Sequence, residues 1–206
     1  MTKRSRFSAE REAFEQLKHA VDNDPELRKD IEIALQQLLG RYSTKIRENR
    51  FIVGGALEVI LTAALRAAGV QAEDVGMSEQ RIDIRIHNNG GFSIKGHFKG
   101  KANIRLINVL GDSPQTEWDT ATIFVLHNVG IGYADPELLP NATERAADAL
   151  VMRYKDLQNF LKNNRNFLIE CAVPSTLQNP SESELVSRVV AREILKRTKK
   201  LAEYIP

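Results

Sequence analysis

Arg81-Ile82-Asp83-Ile84-Arg85-Ile86 and Gly91-Phe92-Ser93-Ile94-Lys95-Gly96-His97-Phe98 are two alternating runs joined through Asn88-Asn89-Gly90-Gly91. A period of two marks strands with one face buried. The isoleucines of the first run share one face, and Arg81, Asp83 and Arg85 share the other. In the second run Phe92, Ile94 and Phe98 are apolar, while Ser93, Lys95 and His97 alternate with them. Asn-Gly-Gly chemistry between the runs predicts a hairpin turn. If the apolar sides share the core, Asp83 and Lys95 share the outer face. Parity sets a condition: the loop must hold an odd number of residues, such as Asn88-Asn89-Gly90. An even turn would set Asp83 opposite Gly96 and turn Lys95 away.

Outward from this hairpin, the first 45 residues read as helical. Asp24-Pro25-Glu26 is a helix start and Gly40 a helix end. A second helical stretch runs from Val53 to Ala68 and stops at Gly69. It is apolar nearly all round, as a core helix is, except for the stripe Glu58, Thr62 and Arg66. Downstream, Ala121 to Leu126 is a continuous apolar run, the pattern of a strand buried on both faces. Ala142 to Asn163 and Ser181 to Tyr204 read as helices, the latter opened by a capping box of Ser181 and Glu184. Asn166 to Val173 reads as another central strand. The expected fold is α/β (α+β), a mixed sheet flanked by helices. One domain, residues 1–206, would comprise a helical N-terminal part (1–50), a core (53–126), and C-terminal helices and strand (142–206).

The chain has 206 residues, 42% hydrophobic and 27% charged, an ordinary globular balance. The single cysteine, Cys171, lies in an apolar run and excludes an internal disulfide; a buried, inert thiol is expected. No apolar segment follows the basic N-terminus, and Glu58, Thr62 and Arg66 interrupt the longest apolar stretch. A cytoplasmic protein without membrane contact is therefore expected. The net charge of +2 does not by itself announce nucleic acid. Its distribution says more: between Gly91 and Gly111 there is no acid, but Lys95, Lys99, Lys101 and Arg105 are present. Such local basic patches suit a phosphate backbone. The basic C-terminal run, from Arg188 to Lys200, reads equally well as a solvated helix face.

Asp83, Lys95 and Glu58 carry the chemistry. Carboxylates hold Mg²⁺, a hard cation that keeps several waters. Such a metal lowers the pKa of bound water and offsets phosphate charge, while a lysine orients the water or stabilises developing charge. The pattern Gly54-Gly55-Ala56-Leu57-Glu58, Arg81-Ile82-Asp83 and Ser93-Ile94-Lys95 resembles the PD-(D/E)xK nuclease superfamily, which includes most type II restriction endonucleases. The resemblance spans roughly Gly54 to Leu126. It implies a restriction-endonuclease-like fold and a Mg²⁺-dependent DNA endonuclease acting on double-stranded DNA, of the sequence-specific restriction type, commonly as a homodimer. Asp83, Lys95, Glu58 and Ser93 would be the site residues, with Asp83 and Glu58 on the metal. Two positions depart from the pattern. Ile82 stands where the family often has Pro, and Ser93 where it has its second acid. Glu58 would supply that acid, with Asp112, Glu117 and Asp119 in reserve.

Lys99, Lys101, Arg105 and His97 are the candidate DNA contacts, against the plainer reading of a solvated loop and a hydrogen-bonded strand histidine. His127 reads as structural and Trp118 as either a core or an interface residue. Gly130-Ile131-Gly132-Tyr133 does not have the glycine spacing of a nucleotide loop. Three other readings stay open. They are a repair or phage-defence nuclease with loose sequence preference, a catalytically inactive DNA-binding domain on the same fold, and an unrelated α/β protein with Asp83 and Lys95 as surface charges.

Overall fold

A computed structural model describes residues 5–42, 44, 47–75, 81–87, 90–98, 102–108, 117–146, 149–175 and 187–206. The elements run α1 (Ser8–Asn23), α2 (Pro25–Leu39), α3 (Arg47–Ala67), β1 (Ala72–Asp74), β2 (Ile84–Ile86), β3 (Gly91–His97), β4 (Ile104–Asn108), β5 (Thr122–Leu126), β6 (Gly130–Ala134), β7 (Thr143–Ala146), β8 (Ala149–Met152), α4 (Tyr154–Asn163), β9 (Leu168–Ile169) and α5 (Ser187–Leu195). Short 3-10 turns follow α4 (Arg165–Phe167) and α5 (Leu201–Tyr204). The protein is a mixed α/β fold with a six-stranded sheet in the order β1-β2-β3-β5-β6-β9 and a three-stranded sheet in the order β4-β8-β7. Among the described residues, β3–β5 is the one parallel pair of the larger sheet.

Alternation sorts the larger sheet onto two cores. Ile84, Ile86, Phe92, Ile94, Ile123, Val125, Ile131, Tyr133 and Ile169 join the core built with α1, α2, α3 and α5. Phe124, Leu126, Ala134 and Leu168 face the other way, into a second core with the smaller sheet and α4. The β5 run Thr122–Leu126 is buried throughout, as its unbroken apolar sequence requires.

The helix signals at α2 act as read: the Asp24 carboxylate accepts from the Glu26 and Leu27 N–H groups at 3.0 and 3.1 Å, and Gly40 follows the last turn. Helix α3 starts earlier than the Val53 expected, at Arg47. The helix expected over Ala142 to Asn163 is wrong in its first half. Residues Thr143–Ala146 and Ala149–Met152 are paired strands, and only Tyr154–Asn163 is helical. Leu150 and Met152 alternate into the second core, and β8 also pairs with β4, so tertiary pairing overrides the alanine-rich helical composition. The central strand expected over Asn166 to Val173 shrinks to Leu168–Ile169 at the sheet edge. The expected Ser181–Tyr204 helix is described as α5 and a 3-10 turn; its capping residues Ser181 and Glu184 lie outside the described residues. Strands β1, β4 and β6 went unread. β6 is the glycine-containing segment Gly130–Ala134, fully buried.

Glycine is required at one end of β6. Gly130 has φ of 125°, and a Cβ there would come within 2.1 Å of the Ile169 carbonyl oxygen. Gly130→Ala is therefore expected to unseat β9 and to cost at least about 1–3 kcal/mol, read as a lower urea midpoint. An unchanged midpoint would contradict this backbone geometry. Burial holds the half-buried Cys171 thiol up at about 12, which keeps it protonated and unreactive near neutral pH. Among the described residues, no helix is long and apolar enough to cross a membrane.

Candidate active site

The site begins at a flaw in the β2–β3 ladder. The register pairs Ile84 with Phe92 and Arg85 with Gly91. The paired positions end at Ile84 and Phe92, so Asp83 lies just beyond the ladder and has neither Lys95 nor Ser93 as a register partner. The strand expected from Arg81 also begins only at Ile84. The Asp83 N–H donates to the Phe92 carbonyl at 2.8 Å, although Ile84 is the ladder partner of Phe92. Two residues thus stand across from one, a bulge that re-aims the Asp83 side chain.

The consequence is a carboxylate set into the sheet itself. Asp83 Oδ2 accepts the Ile94 N–H at 2.6 Å and the Ser93 hydroxyl at 3.1 Å. On the far side of β3, the Ser93 N–H donates to the Ala121 carbonyl at 2.9 Å and the register pairs Ser93 with Thr122. The Asp83 carboxylate therefore completes the β3 hydrogen bonding where β2 has ended. Both bonds fall on Oδ2.

Lys95 is the next residue after Ser93 on the same face of β3, half-buried beside Phe124 of β5. Thr122, the neighbour of Ser93, accepts the Trp118 indole N–H at 3.0 Å. Trp118 is buried in the second core, which decides between the two readings of this residue. Thr122 and Trp118 wall the site, and no sequence signal marked their role there.

The hairpin arginines pair with other acids. Arg85 pairs with Glu73 of β1 at 3.0 Å, and Arg81 pairs with Asp119 at 3.1 Å. Asp119, a reserve acid in the sequence, is tied in further by the Thr120 hydroxyl at 2.9 Å and through its carbonyl by Arg6 at 2.7 Å. The Arg81–Asp119 pair joins the segment that enters β5 to the segment carrying Asp83.

Glu58 arrives from the other direction. Its helix α3 packs on the face of β3 that carries Phe92, Ile94 and Gly96: a Cβ at Gly96 would meet Leu57 at 3.1 Å. Ser93 and Lys95 alternate to the opposite face. Glu58 is half-buried, and its carbonyl accepts the Thr62 hydroxyl at 2.8 Å. The structure thus bonds Asp83 to Ser93, sets Lys95 next on the Ser93 face of β3, and carries Glu58 on the helix that packs against the opposite face.

Of the candidate DNA contacts, Arg105 is exposed on β4, whereas Lys99 and Lys101 lie outside the described residues. His97 is not on an open surface. It is buried, with its ring 4.7 Å from that of Tyr154. Glu117 is exposed, and Asp112 lies outside the described residues. His127 is structural, its ring nitrogen 3.0 Å from the Val173 carbonyl. Among the described residues no group of three or more His, Cys, Asp or Glu side chains converges as a metal cage. No protein-family model matches the chain, and no curated protein matches it.

Proposed function

We propose that this protein is a Mg²⁺-dependent DNA endonuclease with a restriction-endonuclease-like core, hydrolysing phosphodiester bonds at the site formed by Asp83, Ser93 and Lys95. The observation that carries this reading is the bulge. A chain that needed only a solvated strand face at Asp83 has no use for a carboxylate turned into the sheet beside a serine and a lysine. Mg²⁺ is compatible with this donor set, because it needs only one or two carboxylates and takes its other oxygens from water and substrate phosphate. Asp83 would help to hold it. Asp119, held by Arg81 beside the segment that carries Asp83, would be the second acid in place of Glu58, whose helix packs on the opposite face of the sheet. When bound, the metal supplies an activated water and offsets charge on the phosphate.

The remaining work falls to the chain. The Ile94 N–H and the Ser93 hydroxyl fix the Asp83 carboxylate in one orientation. Lys95, with its stem beside Phe124, holds its ammonium where phosphate charge develops and orients the attacking water. Exposed cations such as Arg105 hold the DNA backbone. A homodimer acting on a two-fold DNA site is the assembly this reading favours, and an intracellular location is part of the same proposal.

One observation favours a second reading. The Asp83–Ser93–Ile94 bonds also complete the sheet, which suits a catalytically inactive DNA-binding domain. Incubating the protein with plasmid DNA in Mg²⁺ and in EDTA separates the two. Discrete, Mg²⁺-dependent fragments support the restriction reading, and a smear supports a nuclease of loose preference. DNA binding with no cleavage in Mg²⁺ or Mn²⁺ supports the inactive domain.

A further inference from the structure

Between the N-terminal half of α3 and the end of β3 lies a cavity of about 270 Å³. Gly54 and Leu57 line it from the helix, Gly96 and Phe98 from the strand, and Arg50 and Asn103 supply polar groups. Its two glycines do different things. A Cβ at Gly54 would meet nothing within 4 Å, so this position opens into space. At Gly96 a Cβ would come within 2.7 Å of the Phe98 ring, so the ring rests on the strand and gives the cavity an aromatic wall.

Above the Gly54 notch stand Arg50 and Phe51, which precede it by four and three positions and so share its helix face. The Arg50 Nε donates to the Thr44 carbonyl at 2.8 Å, which anchors the guanidinium. Phe51 is 68% exposed, the one large apolar side chain in that state among the described residues. Arg50 thus gives the cavity a cation, and Phe51 sets an exposed ring on the same helix face. The cavity falls just under the roughly 300–1,000 Å³ of sites for drug-sized ligands. One planar heterocycle suits it better than a larger ligand.

We propose that this cavity takes a single unstacked nucleobase of a nucleic-acid substrate, with Arg50 on its phosphate and Phe51 wedged into the gap left in the stack. The assignment rests on the nucleic-acid reading of the Asp83–Lys95 site. It predicts a preference for duplexes that carry an unpaired base, where extrusion costs least.

The test is binding in EDTA of two otherwise identical duplexes, one fully paired and one with a single unpaired 2-aminopurine. The wild type should bind the unpaired duplex about 5- to 150-fold more tightly, the range one stacked base provides, with a change in 2-aminopurine fluorescence. Gly54→Leu fills the notch and improves helix propensity, so it should fold and lose both the preference and the fluorescence change. Phe51→Ala, at an exposed position that folding does not depend on, should weaken the preference as well. Equal wild-type affinity for the two duplexes, no binding of either, or a full preference in both variants would overturn the assignment. Plasmid cleavage is scored separately. Unpaired-base preference without Mg²⁺-dependent cutting keeps the cavity and removes the nuclease, and cutting without the preference does the reverse.

Discussion

Asp83→Asn is expected to remove Mg²⁺-dependent cleavage while leaving the fold almost unchanged. The amide oxygen of Asn can still accept from the Ile94 N–H and the Ser93 hydroxyl, which the carboxylate does at 2.6 and 3.1 Å. The sheet edge is thereby kept, and only the charge is lost. A metal-dependent site then lacks its fixed anion, and the rate should fall by about 10²–10⁴-fold or more, the range a single charge-handling group contributes. Asp83→Ala should lose activity equally but also unfold more easily, by about 1–3 kcal/mol, because the Ile94 N–H is left without an acceptor. Cleavage rates and urea midpoints of the two variants separate the chemical role from the structural one. If Asp83→Asn keeps wild-type activity, Asp83 serves the sheet alone.

Arg11→Ala should produce the largest stability loss away from the site. Asp135 is fully buried just after β6, and Arg11 of α1 bonds it with two nitrogens at 2.8 and 2.9 Å. The same carboxylate accepts the Tyr133 hydroxyl at 2.8 Å and the Glu137 and Leu138 N–H groups at 2.9 and 3.0 Å. Asp135 bonding raises the already high Arg11 pKa, and burial raises that of Tyr133, so neither group titrates near neutral pH. Removing the guanidinium leaves a buried carboxylate without its counter-ion, at a cost of about 3–5 kcal/mol. For a domain of this size that lowers Tm by on the order of 10 °C. The Arg165–Glu170 pair is the control: both side chains are more than half exposed, and Arg165→Ala should shift stability by less than about 1 kcal/mol. Equal small losses in both variants would show that the α1–β6 linkage contributes no more than a surface pair.

The hairpin was legible because its signal is local. Two runs of period two, with Gly and Asn between them, place Asp83, Ser93 and Lys95 on neighbouring strands before any tertiary contact is known. The bulge at Asp83 was not legible, because one extra residue in a ladder leaves no mark on an Arg-Ile-Asp-Ile alternation. Nor was the side on which α3 packs. Glu58 enters the site through the family resemblance, which does not say on which face its helix packs; Leu57 against Gly96 makes that choice. The strands β7 and β8 were misread as helix because Thr143 to Met152 is rich in good helix formers, and only pairing with β4 selects the strand. Asp119 became informative only when Arg81 was seen to bond it.

The most direct measurement of the central claim is the rate of supercoiled-plasmid cleavage in Mg²⁺ by wild type and by Lys95→Ala, purified in parallel and matched for thermal stability. The expected result is cleavage by the wild type that EDTA stops, and a loss of at least about a hundredfold in the variant. Cleavage at the same rate by both proteins, or by neither across Mg²⁺ and Mn²⁺, would contradict it.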